Sequence, residues 1–274
     1  MCIDNQPPEA TTARTYFVET HTFRNPLFTH VDTTFVFTLA SQPGRKTAML
    51  ARLQQTPLTA IVRFVINPGA VAKGLHMNTC DDLLHANKLA CTMAISYDRP
   101  AIFLEDDCEF TDGMSVAWAV TAEHRIQAVD AIAFGSFMGL SFPVHREWIR
   151  VVRGGEAHGM LLSQSGMAAM LRLPYTGCAH DSLFYARAIV HAPRRPVGVQ
   201  RHYRTQNSMS YDRTGVLTFL LTAVLRSETE PVLLYNRAHT VGRLGGLYTL
   251  ATLASGIVAA TIIRSLYAYY PFLD

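Results

Sequence analysis

Phe103-Leu104-Glu105-Asp106-Asp107-Cys108-Glu109-Phe110 is the stretch that decides how this chain is read. An apolar run, Ala101-Ile102-Phe103-Leu104, follows Pro100 and stops at three adjacent carboxylates. A short apolar run bounded by Pro predicts a buried strand. Charged groups are almost never buried without a partner. The three acids therefore belong at the C-terminal end of a core strand, where open α/β sheets bind ligands. Along a strand, residues i and i+2 point the same way, so Glu105 and Asp107 are expected to converge and Asp106 to turn aside. Like charges this close repel unless a cation joins them. A hard cation, Mg²⁺ or Mn²⁺, would bridge carboxylates and a phosphate. The alternative is a solvated acidic turn.

Working outward, Thr33 to Leu39 is β-branched and aromatic and predicts a strand. Ser41-Gln42-Pro43-Gly44 is a turn, and Arg45 to Gln55 follows as a helix. Ile61 to Ile66 predicts a second strand. Asp81 to Asp98 is the clearest helix, with Leu83, Ala86, Ala90, Met93, Ala94 and Tyr97 on one face. Past the acids, a helix is expected from Asp112-Gly113 to His124, and a strand from Asp130 to Phe134. Gly154-Gly155-Glu156-Ala157-His158-Gly159 suggests a Gly-rich loop, and Ser163 caps a helix through Leu171. A helix over 181–190 and a short strand, Val197 to Gln200, complete the pattern. Residues 1–30 show no clear period and are expected to be an irregular lead-in. The βαβα order predicts a Rossmann-like α/β fold, with a mostly parallel mixed sheet flanked by helices.

Charged residues are 16% of the 274 and apolar residues 49%, so a large core is available. A formal net charge of +3 is too small to argue for nucleic acid as a partner. The five cysteines are odd in number and show no CxxC spacing, which disfavours a disulfide framework or a zinc site. Reduced thiols and a cytosol-facing domain fit best. The N-terminus carries no basic and apolar leader pattern, so no cleaved signal is expected. Residues 244–263 form an uncharged stretch of twenty, flanked by Arg243 and Arg264 and followed by Tyr267, Tyr269 and Tyr270. That length and those flanks suit a single C-terminal membrane span. A buried helix closing the soluble domain is the alternative. Thr214 to Leu225, within a 213–240 connector, is too short to span and predicts a core helix.

The acidic segment resembles one in glycosyltransferase family 25, which includes bacterial lipooligosaccharide galactosyltransferases and procollagen galactosyltransferases. Phe35 to Leu39 followed by Arg45 resembles that family's first strand and helix. Cys80 to Lys88 resembles a later helix, departing at Thr79 and Leu84. Ala157 to Ser163, Gly166 to Leu171, His180-Asp181-Ser182-Leu183 and Pro196 to Gln200 with Asn207-Ser208 follow in family order, with Met160 replacing a Tyr.

The resemblance covers about residues 33–210 and implies a GT-A fold within 31–212. It implies transfer of a sugar from a nucleotide-diphosphate sugar, a UDP-sugar by this reading, to a hydroxyl of a glycan, lipid-linked or protein acceptor. Inversion at the anomeric carbon is the family's outcome. Asp107 would be the principal ligand of Mn²⁺ or Mg²⁺, with Glu105 contacting it through water or touching the ribose. His202 would complete the shell, or else be a surface residue. Arg45, Glu105, Asp106, His158 and Gly159 are the expected nucleotide-sugar contacts. Asp181 would be the general base, or else a helix cap. Two rivals stand beside this reading. One is a metal-dependent phosphoesterase or nucleotidyltransferase, which would want further carboxylates such as Asp130 and Asp181. The other is a non-catalytic glycosyltransferase-like membrane protein.

Overall fold

A computed structural model describes residues 16–69, 73, 79–135, 137–155, 158–177 and 180–200. The expected connector at 213–240, His202 and the apolar stretch at 244–263 lie outside the described residues. Among those described, no helix is long and apolar enough to cross a membrane.

The chain runs β1 (Phe17–Thr22), β2 (Thr33–Leu39), α1 (Pro43–Gln55), β3 (Ile61–Asn67), α2 (Thr79–Ile95), β4 (Ala101–Glu105) and β5 (Cys108–Phe110). It continues through α3 (Val116–Ile126), β6 (Ala131–Ala133), β7 (Phe137–Pro143), β8 (Trp148–Gly155), β9 (Gly159–Leu162), α4 (Gln164–Leu171), α5 (His180–Arg187), β10 (Val190–Pro193) and β11 (Gly198–Gln200). A nine-stranded sheet has the order β1-β3-β2-β4-β9-β6-β10-β8-β7, and β5 pairs with β11 in a separate ribbon. Strands β2, β3, β4, β6, β7 and β10 run one way; β1, β8 and β9 run against them. The sheet is thus mostly parallel and mixed, as expected.

Alternation along the strands builds two cores. Phe35, Phe37, Ala101 and Phe103 face α2, α4 and α5, while Val36, Ile102 and Leu104 face α1 and α3. Phe35 and Phe103 stack at 5.5 Å between ring centroids, and each fully buried ring contributes roughly 1.5–3 kcal/mol. Pro43 opens α1, where its missing N–H costs nothing. Ser163 caps α4 as expected, its Oγ accepting the Gly166 N–H at 3.2 Å.

Several expectations need correction. Residues 17–22 form the edge strand β1, antiparallel to β3, rather than an irregular lead-in. Gly154, Gly155 and Gly159 lie in β8 and β9, so the Gly-rich loop shrinks to the 156–158 connection. The helix expected over 181–190 ends at Arg187, and the chain returns at once as β10, parallel to β6. The buried face of α2 carries Leu84, Asn87 and Cys91 besides Ala86, Ala90 and Ala94. Its apolar stripe is wide because α2 packs on the sheet, α4 and α5 together. Tyr97 falls beyond the helix end and is exposed, next to Asp98 at φ 51°.

Candidate functional site

The connection order places the site. From β2 the chain crosses to β3 on one side, then returns past β2 to β4 on the other. The strand order therefore reverses at β2, and the crevice outside the C-terminal ends of β2 and β4 is the expected ligand position. Glu105 closes β4 and pairs in register with Phe37. The backbone N–H of Asp106 donates to the Phe37 carbonyl at 3.1 Å, tying the acidic turn to β2.

Asp106 and Asp107 are both buried. Each carboxylate meets the guanidinium of Arg45, in the first turn of α1, with Arg45 and Asp107 2.9 Å apart. Thr38 Oγ donates to Asp106 Oδ2 at 2.7 Å. The strand rule that would turn Asp106 aside does not reach this far. The strand ends at Glu105, and the turn at 106–107 brings both aspartates onto one side chain. Asp106 is pushed up to about 6, chiefly by burial; Arg45 and Thr38 pull it down, and Asp107 adds to the rise.

Glu105 is held well above the usual carboxylate range, first by burial, then by the charges of Asp107, Asp181 and Asp106, against the pull of Arg45. The structure thus brings Asp181, in the first turn of α5, into the field of the strand-end acids. Asp130 is not part of this group. It sits before β6, at the opposite end of the sheet, where it accepts bonds from Ser165 Oγ and the Ile189 N–H.

His158 immediately precedes β9 and is fully buried. Its carbonyl accepts the Glu105 N–H at 2.9 Å, and its Nε2 donates to the Gly198 carbonyl at 3.2 Å. Gly159 is not a loop residue open to a ligand. A Cβ there would lie 2.8 Å from Phe134 Cδ2 and 3.3 Å from Cys108 Sγ, so packing within the sheet requires the glycine. Burial and the neighbouring Asp107 raise the Cys108 thiol far above its ordinary range, which keeps it protonated and unreactive.

Residues not singled out in the sequence also matter. Arg52 donates to the Cys108 carbonyl at 3.2 Å and to Glu109 Oε1 at 3.0 Å, holding β5 in place. Its spacing of about two helical turns from Arg45 on α1 was the available signal. Thr38 gave none, because its contact spans 68 residues.

The donor chemistry suits a hard cation. The acids offer oxygen ligands, and Asp107, Asp181 and Asp106 all act on Glu105, with Arg45 opposing them there. Among the described residues, no group of three or more His, Cys, Asp or Glu is arranged to hold a metal ion. Arg45 already engages the two aspartates, and His202 lies outside the described residues.

No family model and no curated protein matches the chain. Among solved structures, a crystal structure of apo UDP-glucose pyrophosphorylase is similar over 59% of this chain and 72% of that one. The TM-score is 0.36 and the identity 10%.

Proposed function

We propose that the chain is a metal-dependent glycosyltransferase, inverting and similar to family 25. It would move a sugar from a nucleotide-diphosphate sugar, a UDP-sugar by this reading, to a hydroxyl of a glycan, lipid-linked or protein acceptor. One observation carries the reading: Glu105, Asp106, Asp107 and Asp181 gather in the crevice where the strand order reverses. Asp107 and Glu105 would hold Mn²⁺ or Mg²⁺, with His202 as a further ligand. The cation supplies charge neutralisation of the diphosphate leaving group. Thr38 keeps Asp106 oriented, and Arg45 offers a guanidinium fork suited to a phosphate oxygen. Asp181, in the first turn of α5, takes the proton of the acceptor hydroxyl. His158 backs Glu105 through its carbonyl instead of touching the donor. Residues 244–263 would tether the domain to a membrane, with the catalytic part in the cytosol.

A panel of nucleotide sugars with Mn²⁺ tests this, measuring nucleoside diphosphate release with and without acceptors. Transfer by the wild type, lost in Asp107→Ala, is the expected result. No turnover in the wild type, or equal turnover in the variant, overturns it. Release of sugar 1-phosphate in place of nucleoside diphosphate, with the nucleoside monophosphate passed to an acceptor, would favour the nucleotidyltransferase rival, to which Asp181 lends a fourth carboxylate. For the tether, carbonate extraction should leave the full chain in the membrane pellet while a 1–240 truncation is released.

A further inference from the structure

The first turn of α2 is tied to the loop that precedes α5 by one side chain. Asp81 Oδ1 accepts the Thr176 N–H at 3.1 Å and the Gly177 N–H at 3.0 Å, and Asp81 Oδ2 accepts the Gly177 N–H again at 3.0 Å. Gly177 has φ +72°, a left-handed conformation that other residues adopt at a cost. A carboxylate from α2 and a glycine in the loop thus define one sharp turn. Three residues on, α5 begins at His180, and Asp181 follows in its first turn with its own Oδ1 accepting the Ser182 N–H at 2.8 Å.

His180 is buried, and the charges of Asp181 and Asp81 both act on it. Asp81 thus fixes a turn three residues before α5, the helix whose first turn carries Asp181.

We propose that Asp81 is a positioning residue for Asp181, acting through the Thr176–Gly177 turn. This rests on the glycosyltransferase reading, in which Asp181 takes the acceptor proton. A displacement of about 1 Å at such a group costs on the order of 100-fold in rate. The bonds Asp81 makes to Thr176 and Gly177 lie on the side of the proposed base, so its loss should act on kcat and spare donor binding.

Four variants of the full chain decide it: Asp181→Asn, Asp81→Ala, Asp81→Asn and Gly177→Ala. Asp81→Ala should lower kcat about 10- to 100-fold. The KM for donor and the affinity for UDP with Mn²⁺ should match the wild type. Asp81→Asn keeps an Oδ1 acceptor and should recover part of the loss. Gly177→Ala strains the same turn from the loop side and should repeat the kcat defect. It also decides the matter if Asp81→Ala fails to fold. If Asp181→Asn is inactive while Asp81→Ala and Gly177→Ala keep wild-type kcat, the inference is overturned and the proposed function stands. A rise in donor KM that accounts for the whole defect overturns it likewise. If the wild type is inactive, or Asp181→Asn is as active as the wild type, the proposed function falls and this inference with it.

Discussion

Two polar clusters sit at the same C-terminal edge of the sheet, and they are built on opposite principles. The first is the acidic group at the ends of β2 and β4. The second lies at the end of β3 and the start of α2. There Lys73, its side chain wholly buried, pairs with Asp82, and Asn67 Nδ2 donates to the other carboxylate oxygen at 2.9 Å. Lys73 Nζ also donates to the Tyr16 hydroxyl at 2.7 Å. An ammonium only donates, so the Tyr16 oxygen accepts from it, and the same hydroxyl meets His85 Nδ1, 2.9 Å away, and Asp82. Every charge in this cluster has a partner of opposite sign. In the acidic group Arg45 pairs with Asp106 and Asp107, and burial and three carboxylates drive Glu105 toward its neutral form. The first arrangement, with its charges balanced, is that of a support. The second crowds like charge, as the proposed cation site would require. Crowded charge of this kind marks functional sites more often than structural ones.

The largest expected effect breaks the two apart. Asp107→Asn should reduce metal-dependent turnover by more than about 100-fold, beyond the 10- to 100-fold typical of outer-shell partners. Its melting temperature in the absence of metal should not fall, because removing one like charge relieves Glu105. Lys73→Met should do the reverse. Breaking a buried pair by removing one partner costs about 3–5 kcal/mol. Lys73→Met/Asp82→Asn should recover much of that, since no buried charge is left alone. Urea unfolding checks the stabilities, and a donor assay checks the turnover. If Asp107→Asn were as destabilising as Lys73→Met, the acidic group would be a support too, and the contrast would fail.

The two clusters also differ in how far the sequence exposed them. The strand-end acids are contiguous, so the apolar run that ends in them locates them at once. Strands β2, β3 and β4 carry enough β-branched and aromatic residues to be recognised, and the Ser163 cap announces α4. Strand β1 was hidden because an edge strand is largely exposed and FVETHT carries no buried face. Strand β10, VHAP, has four residues and a proline, too few for any period to show. The partners of the acids were less legible than the acids. Arg45 was expected as a nucleotide-sugar contact, and its pairing with Asp106 and Asp107 was not foreseen. The Tyr16–Lys73–Asp82–His85 cluster escaped notice because its members lie on three separate segments, joined by contacts no local pattern announces.

Arg45 gives the next test, of intermediate size. Arg45→Ala takes away the guanidinium that opposes the carboxyls. Protonation of Asp106, already near 6, blunts the damage. The loss should be about 1–3 kcal/mol at pH 7, smaller than for Lys73→Met. Mn²⁺ should raise the melting temperature of Arg45→Ala by more than it raises that of the wild type, because the cation then has the carboxylates to itself. Equal shifts would mean that the metal and Arg45 do not share ligands.

The smallest effect belongs to His85 and probes the balanced cluster alone. Its ring is held below the ordinary imidazole range of about 6.5, first by burial, then by Lys73, with Asp82 pulling the other way and Lys88 adding to the fall. In the fold His85 lies against the Tyr16 hydroxyl, and protonation would set a second cation beside Lys73. The unfolded chain binds the proton near the ordinary value and the folded chain only at lower pH. The contribution of His85 is therefore complete above about pH 6.5 and is lost as pH falls toward the lowered folded value. The half-exposed position limits this to less than about 1 kcal/mol. Melting temperatures of the wild type and His85→Gln between pH 7.5 and 5 isolate it, since every other titrating group is common to both. The wild type should fall more steeply. Parallel curves would mean that the Tyr16–His85 contact carries no proton-linked stability, and the balance of this cluster would then rest on Lys73, Asp82 and Asn67.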